Sequence, residues 1–216
     1  MKIVAVSDTH REFNKLKIPK ADVFIHAGDI DCYEFSSELR KFNTWLGTVP
    51  CTHKLIVAGN HDGFIDRNPV EATRELLTNG TYLEHEGITI DGVNFWGSPI
   101  TPQFNNWYFM MGGEGRKEHW ENIPMDTDIL ITHGPPMDIL DELTIGGRHV
   151  GCQYLAERIK KVKPKVHIFG HIHETAGIHI EEGITYMNCS LMDECYSLVH
   201  KPTEFFYYKE VDELIL

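Results

Sequence analysis

Residues 1–10 read MKIVAVSDTH, a short apolar run that ends abruptly in polar residues. Residues 2–7 have the length and the nearly continuous apolar character of a strand buried on both faces, as in a parallel sheet. Four other runs follow the same pattern. They span residues 22–27, 54–58, 128–132 and 166–169, and they end in GD, GNHD, HGPP and GHIH, respectively.

Helical patterns separate several of these runs. Residues 33–46, 68–77 and 151–162 carry apolar residues at helical spacing. In the second of these, Asn68 and Pro69 predict an N-cap followed by a first-turn proline. Alternation of strand and helix predicts βαβ units, in which functional sites lie at the carboxyl ends of the strands. We therefore expect the five polar strand ends to converge.

Other segments predict a second β layer. Residues 82–98 contain a hairpin turn at Asp91-Gly92, and residues 177–190 and 197–211 also have strand character. The intervening stretch, residues 99–115, is rich in aromatic residues between Phe104 and Phe109. We expect it to form either a loop that binds a ligand or a hydrophobic flap packed on the core.

The composition is that of an ordinary globular chain. The 216 residues are 42% hydrophobic, which predicts one domain over residues 1–216. A net charge of −12 disfavours long duplex nucleic acid and anionic membranes as partners. No apolar run predicts a membrane span or a signal peptide, and the five cysteines lack CxxC spacing. We therefore expect a cytoplasmic protein with reduced thiols, either a monomer or a homodimer.

The polar strand ends together offer two carboxylates, one amide and five imidazoles: Asp8, His10, Asp29, Asn60, His61, His133, His171 and His173. Nitrogen and oxygen ligands without a thiolate suit Mn, Fe, Co, Ni or Zn and argue against a structural zinc site. Seven ligands suit two cations that share a bridging carboxylate, an arrangement that polarises phosphoryl groups. The eighth residue, an imidazole, is then free for proton transfer.

The other eight histidines have weaker claims to a function. His26 and His167 lie within predicted strands, so we expect them in the core or just behind the site. No spacing argument supports the remaining six, which are His53, His85, His119, His149, His179 and His200.

The order of these motifs resembles that of the calcineurin-like metallophosphoesterases. The motifs are Asp8-x-His10, Gly28-Asp29, Gly59-Asn60-His61-Asp62, His133 and Gly170-His171-x-His173. In finer detail, the phrases SDTHR, GSP, THGPP and FGHIHE, which begin at residues 7, 97, 132 and 169, are similar to the metallophosphoesterase-domain-containing branch. The resemblance implies a four-layer α/β/β/α sandwich of two mixed β-sheets flanked by helices.

The resemblance also implies a role for each residue at the strand ends. The first metal would be held by Asp8, His10 and His173, and the second by Asn60, His133 and His171. Asp29 would bridge the two ions, and His61 would be the free imidazole that assists the leaving group. The cofactor would be two divalent metal ions per chain, with Mn²⁺ favoured in vitro and Fe, Zn, Ni or Co as alternatives.

We therefore expect a binuclear phosphodiesterase that hydrolyses small phosphate esters, such as cyclic nucleotides, by attack of a metal-bridging hydroxide. The alternatives are a phosphomonoesterase, a nuclease for short single strands and a non-catalytic protein-binding scaffold. Residues 28–31 read GDID rather than the Asp-Arg-Gly that the family's protein phosphatases carry, which argues against protein dephosphorylation. A base could stack on residues 104–109, and Arg11 or Arg148, the latter after Gly146-Gly147, could contact phosphate.

Overall fold

The structure, a computed structural model, describes residues 1–210 and 213–216. Val211, the last residue of the predicted strand stretch 197–211, lies outside the described residues. The strands are β1 (Lys2–Val6), β2 (Ala21–Ala27), β3 (Cys51–Val57), β4 (Thr81–Tyr82), β5 (Glu86–Ile90), β6 (Val93–Ser98), β7 (Thr101–Pro102), β8 (Met110–Met111), β9 (Ile129–Thr132), β10 (Val166–Phe169), β11 (Gly177–Glu181), β12 (Ile184–Asn188), β13 (Thr203–Tyr208) and β14 (Glu213–Ile215).

The described residues form fewer helices than strands. The helices are α1 (Ser36–Leu46), α2 (Gly63–Asp66), α3 (Val70–Leu76), α4 (Gly115–Trp120) and α5 (Gln153–Val162), with 3₁₀ turns at Glu12–Lys15 and His173–Thr175. Within the described part of the chain, none of these helices is long and apolar enough to cross a membrane.

Two six-stranded mixed sheets form the centre of the fold. The first has the order β14-β13-β1-β2-β3-β4, and the second has the order β11-β12-β10-β9-β6-β5. Strands β1 to β4 are mutually parallel, as are β12, β10, β9 and β6. The antiparallel partners β13, β11 and β5 lie at the flanks of these parallel blocks.

The alternation of side chains along β1 shows how the layers are built. Ile3 and Ala5 belong to the core between the two sheets, which also contains Ile129 and Ile131 of β9. Val4 and Val6 point the other way, into a core that α1 covers with residues such as Leu39. On the far side of the second sheet, α5 packs on Leu130 and Phe169. The predicted four-layer α/β/β/α sandwich is therefore confirmed.

Helix α3 begins later than its sequence pattern predicts. Pro69 occupies the N-cap position itself. The Asn68 side-chain amide donates instead to the Phe64 carbonyl, at 2.7 Å, in the preceding helix α2. The predicted N-cap residue is thus used to close α2 rather than to open α3.

Candidate metal centre

The carboxyl ends of five parallel strands meet at one edge of the sandwich. Strands β1, β2 and β3 of the first sheet and β9 and β10 of the second sheet all end there. A direct bond joins the two sheets at this point, because the His171 backbone N–H donates to the Asp8 carboxylate at 3.0–3.1 Å. The convergence predicted from the five polar strand ends is therefore present.

The side chains at these strand ends form three overlapping groups whose potential ligand atoms lie within 4.8 Å of one another. The groups are Asp8 with His10 and His173, His10 with Asp29 and His61, and Asp29 with His133 and His171. Asn60 adjoins the third group, since its Oδ1 lies 2.9 Å from His133 Nε2. All eight residues singled out in the sequence are thus in one cluster.

Asp29 occupies the centre of this cluster and is almost fully buried. Its Oδ1 lies 3.3 Å from His133 Nε2, and its Oδ2 lies 3.7 Å from His10 Nε2. Burial by itself would raise the pKa of Asp29, but the neighbouring imidazoles, His133 above all, hold it well below its usual range. Its carboxylate therefore stays ionised and faces both halves of the cluster.

Two of the imidazoles are oriented by backbone carbonyls. His133 Nδ1 bonds to the Ala27 carbonyl, and His173 Nδ1 bonds to the Asp193 carbonyl, each at 2.9 Å. These bonds require Nδ1 to carry the proton and leave Nε2 facing the carboxylates, as in metal-binding histidines. Burial lowers the pKa of His133, but Asp29 and Asp8 outweigh it and raise this pKa to about 9.

His10 provides the clearest test of whether a cation fits here. Its Nε2 atom is buried and has no hydrogen-bond partner among the described residues. Burial lowers the pKa of His10 to about 4, so the ring is neutral and offers a lone pair. A buried polar atom without a partner is costly, and a divalent ion between His10 and the adjacent carboxylates would satisfy it. The donor set therefore fits divalent metal ions.

The backbone at the strand ends is strained. Asp8, His10, Asp29 and His171 all have positive φ angles, between 40° and 72°, a region that non-glycine residues seldom occupy. Gly59 permits a close approach of the loops, because a Cβ there would lie 2.3 Å from Asp29 Oδ1. Such strain persists only where the surroundings impose it, and it is concentrated at functional sites.

His61 is held differently from the other imidazoles. Its backbone N–H donates to Asp29 Oδ1 at 2.9 Å, while its ring packs on the Trp107 indole with centroids 4.3 Å apart. The ring is near Asp31, with Nδ1 3.8 Å from Oδ1. His61 is thus next to the cluster and also faces the cavity described below.

Asp62, which follows His61, has a bracing role. Its buried carboxylate accepts backbone N–H bonds from Gly59 at 2.8 Å, Asp31 at 2.9 Å and Cys32 at 3.1 Å. Burial and the nearby Asp29 raise the pKa of Asp62 to about 6. These bonds hold the loop after β2 against the loop after β3, so Asp62 fixes the positions of Asp29 and Asn60.

A cavity of about 560 Å³ opens onto the cluster, which contributes Asp29, Asn60, His61, His171 and His173 to its lining. Phe104 and Trp107 from the stretch 99–115 also line it, whereas Phe109 of the same stretch is buried in the core. Phe109 therefore packs on the core as expected, whereas ligand binding by the rest of this stretch stays a prediction. Arg148 lines the cavity, but Arg11 instead pairs with Asp31 and Glu38, at 3.0 and 2.8 Å.

Sequence reasoning missed Tyr196 in this cavity. Its ring lies 4.7 Å from the His10 ring and 5.1 Å from the His173 ring. His149, which also lines the cavity, had no spacing argument in its favour. Both residues lie on loops whose positions depend on tertiary contacts, so no local pattern identifies them.

Comparison with known proteins gives consistent matches. Residues 1–175 match the family model described as calcineurin-like phosphoesterase. The chain is 36% identical to human metallophosphoesterase domain-containing protein 1, covering 93% of this chain and 69% of that protein. It is 34% identical to a UPF0046 protein of Caenorhabditis elegans, covering 97% and 76%, respectively. The crystal structure of TT1561 from Thermus thermophilus shares the fold, with a TM-score of 0.58 at 14% identity, over 87% of this chain and 88% of that one.

Proposed function

The chain belongs to the calcineurin-like phosphoesterase family of metal-dependent hydrolases, and within that family we propose that it is a binuclear phosphodiesterase acting on small substrates such as cyclic nucleotides. The observation that carries this proposal is the position of Asp29. Its carboxylate is shared by the group containing His10 and the group containing His133 and His171. A shared carboxylate between two ligand groups is what a two-metal site requires.

The proposed ligands divide around Asp29. Asp8, His10 and His173 hold one ion, and Asn60, His133 and His171 hold the other, with Mn²⁺ as the ion we favour in vitro. Bound ions would polarise the phosphoryl group and lower the pKa of a bound water, so that a nucleophile forms near neutral pH. The carbonyls of Ala27 and Asp193 keep the His133 and His173 rings in the orientation that such binding needs.

His61 is the residue we propose for the leaving group. It faces the cavity, its backbone N–H bonds to Asp29, and its ring packs on Trp107. A proton donated from the imidazole to the departing ester oxygen avoids the release of an alkoxide, which is a poor leaving group near neutral pH.

The cavity supports a small substrate. About 560 Å³ is within the range of cavities that enclose nucleotide-sized ligands. Trp107 and Phe104 offer aromatic surface for a base, and stacking of this kind contributes about 1–3 kcal/mol per base. We further propose that the chain acts as one domain over residues 1–216, as a monomer or homodimer. We place it in the cytoplasm, and its five free cysteines support that location.

The experiment that tests this function compares two aryl esters on the same protein. Metal-stripped protein is reconstituted with Mn²⁺ and assayed on bis-p-nitrophenyl phosphate and on p-nitrophenyl phosphate, with Asp29→Asn as the inactive control. We expect a clear preference for the diester, followed by turnover of 2′,3′- or 3′,5′-cyclic nucleotides. Preference for the monoester would identify a phosphomonoesterase instead. Activity on neither, with two metals bound, would indicate a protein-binding scaffold.

A further inference from the structure

A flap formed by residues 138–151 borders the cavity. Glu142 and His149 are bridged in antiparallel fashion, and the Leu143 N–H donates to the Arg148 carbonyl at 3.0 Å. The turn at the tip uses Gly146 and Gly147, both with positive φ angles. Leu143, Arg148, His149 and Val150 contribute to the cavity lining, so the flap forms one wall of the cavity.

Asp141 anchors this flap from within the protein. It is 1% exposed, and its Oδ2 accepts backbone N–H bonds from Gly151 at 2.8 Å and from Asp138 at 3.1 Å. Its Oδ1 lies 2.6 Å from His149 Nδ1. A buried carboxylate with fixed partners on one oxygen therefore presents its other oxygen to a single imidazole.

This bond determines which atoms of His149 remain available. A carboxylate accepts only, so Nδ1 carries the proton, and Nε2 is the ring nitrogen left for other partners. The His149 side chain is 43% exposed and lines the same cavity as His61 and His171. The pair Asp141–His149 is a carboxylate–imidazole dyad on the cavity wall, separate from the metal cluster.

We propose that His149 is a substrate-contacting residue whose Nε2 binds a phosphoryl oxygen, and that Asp141 is the residue that positions it. The proposal rests on the proposed function, because it assumes that a phosphate ester occupies the cavity. It adds a phosphate-recognition group on the flap to the one formed by the metal cluster.

The charges around His149 favour this role. The bond to Asp141 raises the pKa of His149, and the carboxylates of Asp138 and Glu142 raise it further. The charged groups that act on the imidazole are these three carboxylates of its own flap, and the charged residues Arg148, Glu174 and Glu194 also line the cavity. A protonated imidazole donates from Nε2, and a bond between a cationic donor and a phosphoryl oxygen is short and strong.

A matched pair of variants separates the phosphate contact of His149 Nε2 from the bond between Nδ1 and Asp141. In His149→Asn the side-chain amide nitrogen takes the place of Nδ1, so the bond to Asp141 is kept and the Nε2 contact is lost. In His149→Gln the amide nitrogen takes the place of Nε2, so the Nε2 contact is kept and the bond to Asp141 is lost. The Mn²⁺-loaded wild type and both variants are titrated calorimetrically with ADP and with inorganic phosphate, and KM and kcat are measured for bis-p-nitrophenyl phosphate.

We expect His149→Asn to weaken ligand affinity, measured as Kd or KM, by about 10- to 100-fold with kcat nearly unchanged. We expect His149→Gln to retain most of the wild-type affinity. A raised KM for the diester and weaker inorganic phosphate binding would place the contact on the scissile group. An unchanged KM with weaker ADP binding would place it on a second phosphate.

Unchanged binding and KM in His149→Asn would overturn the proposal, as would a loss confined to His149→Gln, which indicates bracing alone. Failure of the wild type to bind either ligand would also overturn it. If the wild type binds ADP but hydrolyses neither aryl ester, the proposed function fails while the comparison of the variants still decides the role of His149.

Discussion

His61 differs from His133 and His173 because its ring packs on an indole, whereas their rings bond to backbone carbonyls. We predict that His61→Gln retains the full metal content, since the proposed ligands remain intact. Turnover of diesters with poor alkyl leaving groups should fall by about 10²- to 10⁴-fold, because the proton donor is lost. Aryl esters, whose leaving groups need no proton, should be affected much less. Metal analysis and kcat for both substrate types check this, and loss of metal in the variant would contradict the assigned role.

Gly170 shows how closely the two sheets approach at the site. A Cβ at this position would lie 2.1 Å from both Asp8 Oδ2 and Ser7 Oγ, which are buried. We predict that Gly170→Ala lowers the free energy of unfolding by about 1–3 kcal/mol, as overpacking does, and weakens metal binding through Asp8.

The matched control is Gly115→Ala, where the nearest atom to the added Cβ is Met111 Cγ at 3.7 Å. Urea unfolding in the presence of a chelator measures both variants without a contribution from metal. Equal stability of the two alanine variants would show that the crowding at Gly170 is relieved by small shifts.

Among the secondary structure elements, the strands were the most predictable. Their apolar runs are continuous, and their ends are marked by glycine or histidine, so residues 166–169 coincide with β10 and residues 22–27 miss only the first residue of β2. Residues 54–58 cover only the second half of β3, which begins at Cys51. The start of α3 and the flap at residues 138–151 were not predictable, because each depends on the particular backbone and side-chain groups to which one polar side chain bonds. Asn68 bonds to Phe64, and Asp141 gathers three donors from its own loop in a pattern that no short motif encodes.

His167 in β10 makes the stability of the folded state depend on pH. The ring is fully buried, its Nε2 lies 2.8 Å from Thr132 Oγ1 of β9, and burial lowers the pKa of His167 to about 3. In the unfolded chain this pKa is about 6.5. The folded state therefore keeps its full stability above pH 6.5 and loses stability as the pH falls towards 3, because only the unfolded state takes up the proton.

We predict that protonation of His167 in the unfolded chain alone lowers the unfolding free energy by about 1 kcal/mol when the pH falls from 7 to 5.5. His167→Gln keeps a donor for Thr132 but cannot titrate, so its stability should fall less over the same interval. His26, whose pKa burial also lowers to about 3, is present in both proteins and cancels in the comparison. Parallel pH profiles for the two proteins in urea unfolding would refute the prediction.

At the scale of the whole molecule, the cluster joins two sheets that are otherwise held together mainly by apolar packing. Asp8, Asp29 and Asn60 follow strands of the first sheet, whereas His133 and His171 follow strands of the second. The order of motifs in the sequence predicted that these residues meet. It did not predict the shape of the cavity above them, because His149 and Tyr196 reach it from loops whose paths are set by tertiary contacts.

A cluster that spans both sheets should couple metal binding to global stability. Ions that bind only the folded state add about 2.7 kcal/mol to the unfolding free energy at 100 times their Kd. For a chain of this length, 1 kcal/mol corresponds to about 2–4 °C in Tm. We therefore predict that Mn²⁺ raises Tm by at least about 5 °C over chelator-treated protein.

Asp29→Asn should abolish most of this increase, because its carboxylate serves both ligand groups. Asp91→Asn, in the exposed turn between β5 and β6, is the matched control and should respond to Mn²⁺ as the wild type does. Calorimetric scans with and without the ion make the measurement. If Asp29→Asn kept the full Mn²⁺ increment, the ions would be bound without the central carboxylate, and the two halves of the cluster would have to act as independent sites.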